Sequence, residues 1–510
     1  MNLAKWERIK LFLLIILIAS SLIQVGILWN YKKYGFPNYF FTGFFNKKTV
    51  SSQKDLTELK EDLFLPFRVI ISQDSEADPL IISKSDDLFS KLYPDMKLYL
   101  ADILTDRDIK SNHVEPLTDI TFAKLMEKPS FTFEFYSNIN SRMLPWLLDS
   151  SGVNITNKEI SGINKIIMIP DFKSESDNTC NIKILDEVNN KIYSYELPFK
   201  KNTGMGKDWY AKELSKLNKK ATYKSLSVLD EFKNNNEKFI VDRTQDSLFS
   251  ARLISKYDAY KSYSCSSPDE FKIEDDSNSN SSNGKSNADK ENPGLNKLGV
   301  KILNEEADNF IPSTELNAAV FKNIGNTYKV YEDGLLEYNY LQSDGIVSKG
   351  KFEDAFNKAT EFIGSKKDLV KGANIYFSGF SEENDRYSFK FDYRIEDTPV
   401  YFNLEASDKD KKILKNAITI EATGDRALSC YWIIKEFQPV VDNQYNVSFT
   451  DLLGNISNKL SNTGSSKALS IRSVFPCYQV ASGTVKKDIE PYWFIKLSGN
   501  SSYAVRMRKK

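Results

Sequence analysis

The chain has 510 residues, and its 41% hydrophobic and 13% aromatic content is enough for about two to four domains with apolar cores, which argues against an intrinsically disordered chain. Lysine plus arginine numbers 69, as does aspartate plus glutamate, so the formal net charge is zero and nucleic-acid binding has no electrostatic support. The single histidine, His113, argues against Ser-His-Asp catalysis and against a metal site built from several histidines.

An uncharged run of nineteen residues, 11–29, stands near the start of the chain. As a helix it would span about 28 Å, close to the hydrocarbon core of a bilayer. It is longer than the apolar region of a signal peptide, and its Gly-Ile-Leu-Trp end is a poor cleavage site. The sequence therefore predicts a tail over 1–10 and an uncleaved transmembrane helix over 11–29. A cleaved signal peptide is the alternative, and a lipoprotein is disfavoured because no cysteine lies nearby.

The orientation of this helix is not decided by charge, because three basic residues precede the run while Lys32 and Lys33 follow it. Long domains are translocated largely regardless of charge. A short tail before a large C-terminal part therefore favours a cytoplasmic tail and extracellular domains. We expect a single-pass protein of the cell membrane that contacts the lipid bilayer through residues 11–29.

Residues 46–215 are predicted to form an N-terminal extracellular domain of mixed α+β type, which begins with a polar connector over 46–64. The segment 107–116, which holds His113, is predicted to be a loop. Two asparagines at 189–190 separate two runs of strand character and predict a hairpin. The predicted strands are 65–71, 97–104, 131–136, 166–169, 181–185 and 191–197, and the predicted helices are 86–93 and 143–148, the latter with Pro145 in its first turn.

The middle of the chain divides into two predicted parts. Residues 216–273 are predicted to be a helical connector, because apolar residues recur at helical spacing over 226–232 and 247–263 continues in similar style. Residues 274–292 are rich in serine, asparagine and aspartate and hold no aromatic residue, so they cannot bury enough apolar surface to offset the entropy of ordering. We predict a flexible linker over 274–297.

The C-terminal part repeats one pattern, an amphipathic helix followed by antiparallel strands. This repetition predicts two helix-plus-sheet modules in tandem, 298–440 and 441–510, and completes an α+β fold for the chain. The predicted elements are a helix over 352–363 ended by Gly364, strands at 374–377 and 387–395, a second helix over 449–460, and strands at 468–480, 490–497 and 501–507.

The strand predicted over 387–395 alternates strictly between aromatic or aliphatic and polar side chains. Because successive side chains of a strand point to opposite faces, we expect the apolar face to be buried. The opposite face is predicted to be solvated and consists of Ser388, Lys390, Asp392 and Arg394.

The residues that bear chemistry form no recognisable site. Cys180, Cys265, Cys430 and Cys477 contain no Cys-x-x-Cys pair, so no zinc or redox motif is predicted, while their pairing in disulfides is left open. A run at 276–287 has the spacing of a calcium loop but lacks its central glycine and its terminal glutamate. We predict no catalytic, cofactor or metal site; an anchored extracellular enzyme that uses carboxylates alone is the less favoured alternative.

The order of these parts resembles the YycH family, membrane-anchored extracellular regulators of the WalK (YycG) sensor histidine kinase. Segment 131–139 followed by 143–148 is similar to the strand, polar turn and short helix of the family's first domain. The run 393–402 resembles the family's aromatic-Arg, turn and Pro-Val strand pair, and 490–495 resembles its closing Pro-x-Trp strand. The C-terminal modules are also similar to the partner protein YycI and, more loosely, to PepSY-type domains.

The resemblance implies a non-enzymatic regulator of a two-component kinase that controls cell-wall homeostasis. It also implies two partners, the sensor kinase and a YycI-like membrane protein, and no cofactor. An envelope scaffold or binding protein unrelated to a kinase is the alternative function.

A small polar notch interrupts the predicted transmembrane helix at Ser20, Ser21 and Gln24. In lipid, such residues favour helix–helix association through hydrogen bonds worth about 0.6–2 kcal/mol each. We hypothesise that this notch contacts the spanning helices of the kinase or of its YycI-like partner. The alternative is that these side chains bond only their own backbone or reach no partner.

Overall fold

The structure is a computed structural model. Within the residues it describes, no helix is both long and apolar enough to span a bilayer. The predicted tail and transmembrane helix, 1–29, lie outside those residues. The described residues are 59–72, 80–82, 84, 86–117, 125, 128–148, 154–171, 179–200, 206–217, 260–271, 293–303, 310–315, 317–323, 325–341, 349–383, 386–403, 414–446, 471–481, 483–497 and 502–509.

Helices and strands are both present and strands dominate, so the prediction of a mixed α+β chain is confirmed. The helices are α1 Asp87–Thr105, α2 Leu144–Leu147, α3 Lys207–Leu217, α4 Pro293–Leu303 and α5 Phe352–Gly364. The strands are β1 Pro66–Ser72, β2 Leu80–Ile82, β3 His113–Pro116, β4 Ser130–Asn140, β5 Gly162–Pro170, β6 Thr179–Asp186, β7 Lys191–Pro198, β8 Tyr260–Ser266, β9 Ile311–Glu315, β10 Ala318–Asn323, β11 Asn326–Tyr331, β12 Leu335–Tyr340, β13 Asn374–Glu383, β14 Arg386–Ile395, β15 Thr398–Phe402, β16 Ile418–Ala422, β17 Ala427–Ile433, β18 Glu436–Asn446, β19 Ile471–Val480, β20 Lys486–Ile489, β21 Pro491–Leu497, β22 Ser502–Arg506 and β23 Arg508–Lys509.

The N-terminal sheet has seven strands in the described part of the chain, in the order β2-β1-β4-β5-β6-β7-β3. The hairpin predicted around residues 189–190 is confirmed, because β6 and β7 pair antiparallel along their whole length. Pro145 lies in the first turn of α2, as predicted. The loop predicted over 107–116 is wrong at its end: His113 begins β3, which pairs with β7, and its side chain is exposed.

Helix α1 replaces the short helix and the strand predicted at 86–93 and 97–104, so the predicted strand is wrong. Pro94 lies inside this helix, at the point where the sequence suggests a break. The helix continues because its apolar side chains recur at helical spacing on both sides of the proline and are buried in the same hydrophobic cluster as the strands. The buried side chains that flank the proline are Leu92, Met96, Tyr99 and Ile103.

Strands of both predicted C-terminal modules belong to one sheet. In the described residues its order is β22-β21-β19-β15-β14-β16-β17-β12-β11-β10-β9, with β13 paired to β14 outside this path. The parallel pair of β15 with β19 joins the two halves. The predicted division into separate modules is therefore corrected. Strand β15 of the first module would be an open sheet edge, and β19 of the second module pairs with it. The predicted boundary at 440/441 falls inside β18, and the predicted helix 449–460 lies outside the described residues.

Two predictions for the middle of the chain are also wrong. Residues 260–263, predicted as helical, belong to β8, in which Tyr263 and Cys265 are buried at the alternation of a strand. Strand β8 lies in a third sheet, ordered β20-β8-β18-β23 in the described residues. The linker predicted over 274–297 is wrong at its end, where α4 begins at Pro293. Proline suits the first turn of a helix, so the helix can begin at this residue. The rest of that linker lies outside the described residues.

One hydrophobic cluster connects the three sheets. It includes Phe133 of the N-terminal sheet, Phe389 of the large sheet and Phe437 of the third sheet, each 3% exposed or less. Helix α5 covers β14, β16 and β17 and contributes Phe356 to the same cluster. The sheets therefore share a core within the compact unit formed by residues 54–510.

Candidate functional site

The three sequence segments that carry the family resemblance meet where the N-terminal sheet contacts the large sheet. Strand β4 supplies Tyr136, the β14–β15 hairpin supplies Arg394, and β21 supplies Phe494. We call this contact the junction. It consists of Phe67, Tyr136, Tyr376, Arg394, Tyr401, Phe475 and Phe494.

Aromatic rings run from one sheet to the other through the junction. Tyr136 of β4 stacks on Tyr376 of β13 with ring centres 4.2 Å apart. Phe67 of β1 contacts Tyr136 at 5.1 Å and meets Phe475 of β19 edge-on at 5.4 Å. Phe475 in turn lies 5.0 Å from Phe494. Each such pair stabilises by about 0.5–1.5 kcal/mol beyond its area burial, so the series holds the two sheets together.

Arg394 of the junction is buried, and so is Asp392, two residues before it on β14, although the sequence predicts a solvated face at these positions. Their exposed fractions are 1% and 3%. The guanidinium carbon of Arg394 lies 5.8 Å from the centre of the Tyr136 ring, and its Nη2 lies 3.5 Å from Asp62 Oδ1. The prediction fails at Arg394 because Tyr136 of the N-terminal sheet lies against its guanidinium. The other two residues of that face, Ser388 and Lys390, are half-buried.

Asp392 is a buried acceptor whose oxygens are occupied. The side-chain amide of Asn416 and the main-chain N–H of Ala417 each donate to it at 2.8 Å. Burial raises the pKa of Asp392, and these hydrogen bonds lower it. The carboxylate therefore holds the chain that enters β16 against β14, which is a structural role.

Strand β13 pairs with β14 alone among the described strands, and the N-terminal sheet contacts its open side. The Ser137 hydroxyl donates to the main-chain carbonyl of Phe377 at 3.0 Å. Arg142 forms an ion pair with Glu382 at 2.8 Å. Side chains of the N-terminal domain thus shield an edge that would otherwise be open to pairing with another chain.

Residues 59–65, which we call the entry segment, lead into β1 at the end of the predicted polar connector. Residues 59–63 form a helical turn, and Leu59, Leu63 and Phe64 are each 6% exposed or less. The connector predicted over 46–64 is therefore wrong for its last residues, which are buried rather than solvated.

Three contacts bind the entry segment to distant parts of the chain. The Lys60 ammonium donates to the side-chain oxygen of Asn357 on α5 at 2.9 Å, and burial lowers the pKa of Lys60. Asp62 accepts from Arg394 on β14. The ring of Phe64 packs against rings of α5 and β13 at 6.0 and 5.6 Å. The entry segment is thus bound both to α5 and to the large sheet.

Buried tyrosines predict a loss of stability at high pH. Burial raises the pKa of Tyr195 to about 12, and burial together with the charge of Glu396 raises the pKa of Tyr263 to about 12. Unfolded tyrosines titrate near pH 10, so the folded state keeps protons that the unfolded state loses. This contribution to the free energy of unfolding is complete below pH 10 and is lost as pH rises from 10 through 12.

The measurement is a spectrophotometric titration of phenolate alongside circular dichroism, with the urea-denatured chain as control. We expect a fraction of the phenolate signal to appear only together with loss of structure, above pH 10. Full ionisation near pH 10 in a chain that stays folded would contradict the burial of these hydroxyls.

The remaining features singled out in the sequence are the predicted membrane notch, the titratable residues and the four cysteines. Ser20, Ser21 and Gln24 lie outside the described residues, and the contact predicted for them stays a prediction. Across the described ranges, no three histidine, cysteine, aspartate or glutamate side chains are grouped in a way that could hold a metal ion. The four cysteines are free and buried, and burial raises the pKa of each thiol.

Sequence reasoning missed the entry segment. The signal was present, because Leu59 and Leu63 stand four residues apart on one side of a helical turn, directly before Phe64. The residues between them are charged, and two leucines in one helical turn are too few to predict a buried helix. No sequence pattern predicts the stack of Tyr136 on Tyr376, because it joins two strands that are far apart in the chain.

Comparisons with known proteins were made on sequence and on structure. No family model matches the chain, and no curated protein matches it in sequence. A solved structure resembles it. This neighbour is YycH from Bacillus subtilis. The match covers 88% of this chain and 96% of that chain, with a TM-score of 0.43 and 12% sequence identity. The name of this neighbour is that of the family which the sequence resembles.

Proposed function

We propose that the chain is a membrane-anchored, non-enzymatic regulator of a sensor histidine kinase that controls cell-wall homeostasis. In this proposal it acts by protein contacts outside and within the membrane, with the kinase and a YycI-like protein as partners. The sequence segments that resemble the YycH family support the choice of target. The observation that carries the mechanism is the burial of the entry segment.

The entry segment is the point at which the chain that comes from the predicted anchor joins the outer domains. It follows the predicted transmembrane helix in the chain and is bound to α5 and β14 by side chains. In this proposal a shift of the outer domains carries the entry segment with it, because side chains of the entry segment contact α5 and β14. A regulator of this kind biases a kinase between two states only by its difference in affinity for them.

The target is tested by deleting the gene in the native host and measuring transcription of the cell-wall genes that depend on the kinase. We expect transcription to change on deletion and to be restored by the wild-type gene. Unchanged transcription would contradict the regulatory function and favour the envelope scaffold.

The predicted notch is tested separately by crosslinking the full-length chain to the kinase and to the YycI-like protein in membranes. Loss of one interhelical hydrogen bond weakens association by about 3- to 30-fold, so Gln24→Leu and Ser20→Leu should reduce the crosslinked fraction. Ile15→Leu is the matched control, because it leaves the polar notch intact. Unchanged association in both polar variants would remove the notch from the mechanism while leaving the transcriptional test unaffected.

A further inference from the structure

Two cations converge on one oxygen atom of the entry segment. The ammonium of Lys84 lies 2.6 Å from Asp62 Oδ1, and Nη2 of Arg394 lies 3.5 Å from the same atom. Hydrogen bonds between a charged N–H group and a carboxylate are typically about 2.7–2.9 Å long. Lys84 therefore holds this oxygen closely, while Arg394 is at the outer limit of a hydrogen bond.

The cation that is farther from Asp62 has more to gain from it. Arg394 is 1% exposed, and its Nε is a buried donor with no hydrogen-bond partner among the described residues. The guanidinium has other neighbours, because it lies over the Tyr136 ring, and its charge opposes the rise that burial causes in the pKa of Asp397. A buried donor without a partner nevertheless costs free energy, which a closer carboxylate would recover.

The nearer cation, Lys84, has less to lose. Its side chain is 56% exposed and that of Asp62 is 27% exposed, so water screens this ion pair and can replace it. Lys84 stands on the connection between β2 and α1, whereas Arg394 belongs to β14. The two cations therefore hold Asp62 to different parts of the chain, Lys84 to the N-terminal domain and Arg394 to the large sheet.

We propose that the entry segment has two positions, one in which Asp62 pairs with Lys84 and one in which it pairs closely with Arg394. A carboxylate shift of less than about 1 Å closes the present 3.5 Å separation. The second position gains buried hydrogen bonds but loses hydration of Asp62, and these opposing terms keep the two positions close in free energy. Lys60 and Phe64 keep the segment bound to α5 in both. A partner protein that prefers one position shifts the population towards it.

The test is hydrogen–deuterium exchange of the purified full-length chain, followed by mass spectrometry of peptides that cover residues 59–65. If the two cations compete, Lys84→Ala releases Asp62 to Arg394, and the amides of the entry segment exchange more slowly. We expect slowing by about two- to fivefold, the factor that corresponds to the contribution of an exposed ion pair. Lys91→Ala, at an exposed position of α1, is the matched control and should leave this exchange unchanged.

The competition requires the charge of Asp62. Asp62→Asn removes the charge that both cations attract, so Lys84→Ala should produce no slowing in the Asp62→Asn background. Faster or unchanged exchange in Lys84→Ala alone would overturn the proposal, because Lys84 would then anchor the segment or not affect it. Slowing that persists in the Asp62→Asn background would overturn it as well. Only the role of the two positions in signalling rests on the proposed function. The exchange measurement involves neither the kinase nor a membrane partner, so its failure is distinct from a failure of the transcriptional test.

Discussion

Replacement of Phe356 by alanine is expected to lower the free energy of unfolding by about 3–5 kcal/mol. The side chain is 0% exposed, and its ring contacts Trp146 at 4.8 Å, Phe64 at 6.0 Å and Phe377 at 5.7 Å. These partners come from the N-terminal domain, the entry segment and the large sheet, so the cavity opens where all three meet. Urea denaturation followed by circular dichroism measures the change.

Phe362→Ala is the matched control on the same helix. Phe362 is half-buried and packs on Tyr338 at 4.8 Å, within the large sheet alone. We expect a loss of about 1–2 kcal/mol from its smaller buried area. A loss at Phe356 no larger than the loss at Phe362 would show that the three parts do not share a core at α5.

Arg394→Ala is expected to lower the free energy of unfolding by about 3 kcal/mol, within the range for truncation of a large, fully buried side chain to alanine. The guanidinium is 1% exposed, lies over the Tyr136 ring and faces Asp62 of the entry segment. Its removal leaves a cavity between β14 and β4 and frees Asp62 to pair with Lys84 alone. The readout is the urea midpoint at constant m-value.

Two further variants separate charge from shape at this position. Arg394→Lys keeps the charge but loses the planar group over the tyrosine ring, so we expect an intermediate loss. Lys390→Ala, on the same strand and the same face, is the control and should change stability by about 0.5 kcal/mol or less. If Arg394→Ala costs no more than Lys390→Ala, the junction does not contribute to stability in the way its contacts indicate.

The alternation of side chains and the turn residues in the sequence predict those elements whose contacts are made with residues nearby in the chain. The alternation in β14 predicts its buried aromatic face, and the asparagine pair at 189–190 predicts the β6–β7 hairpin, because both depend on adjacent strands. The same alternation is wrong for Asp392 and Arg394, because their partners are not adjacent in the chain: Tyr136 of β4 lies against Arg394, and Asn416 and Ala417 donate to Asp392. The core likewise overrides the helix-breaking tendency of Pro94 in α1.

The candidate site was predicted only in pieces. The segments that resemble the YycH family supply Tyr136, Arg394 and Phe494, yet nothing in their spacing shows that they meet in one junction. That meeting depends on the packing of whole sheets, including the parallel pair of β15 with β19. The entry segment was missed for the same reason, because Lys60 and Asp62 find their partners on α5 and β14.

The central claim is that the outer domains act on the predicted anchor through a fixed entry segment. The most direct test inserts a flexible Gly-Ser linker of about ten residues between Thr57 and Glu58, which leaves every residue from Leu59 onwards unchanged. The same linker between Ser281 and Ser282, inside the predicted linker over 274–297, is the control. Transcription of the kinase-dependent cell-wall genes is measured at matched protein levels. We predict that the first insertion abolishes regulation and the second preserves it; regulation that survives the first insertion would contradict the claim.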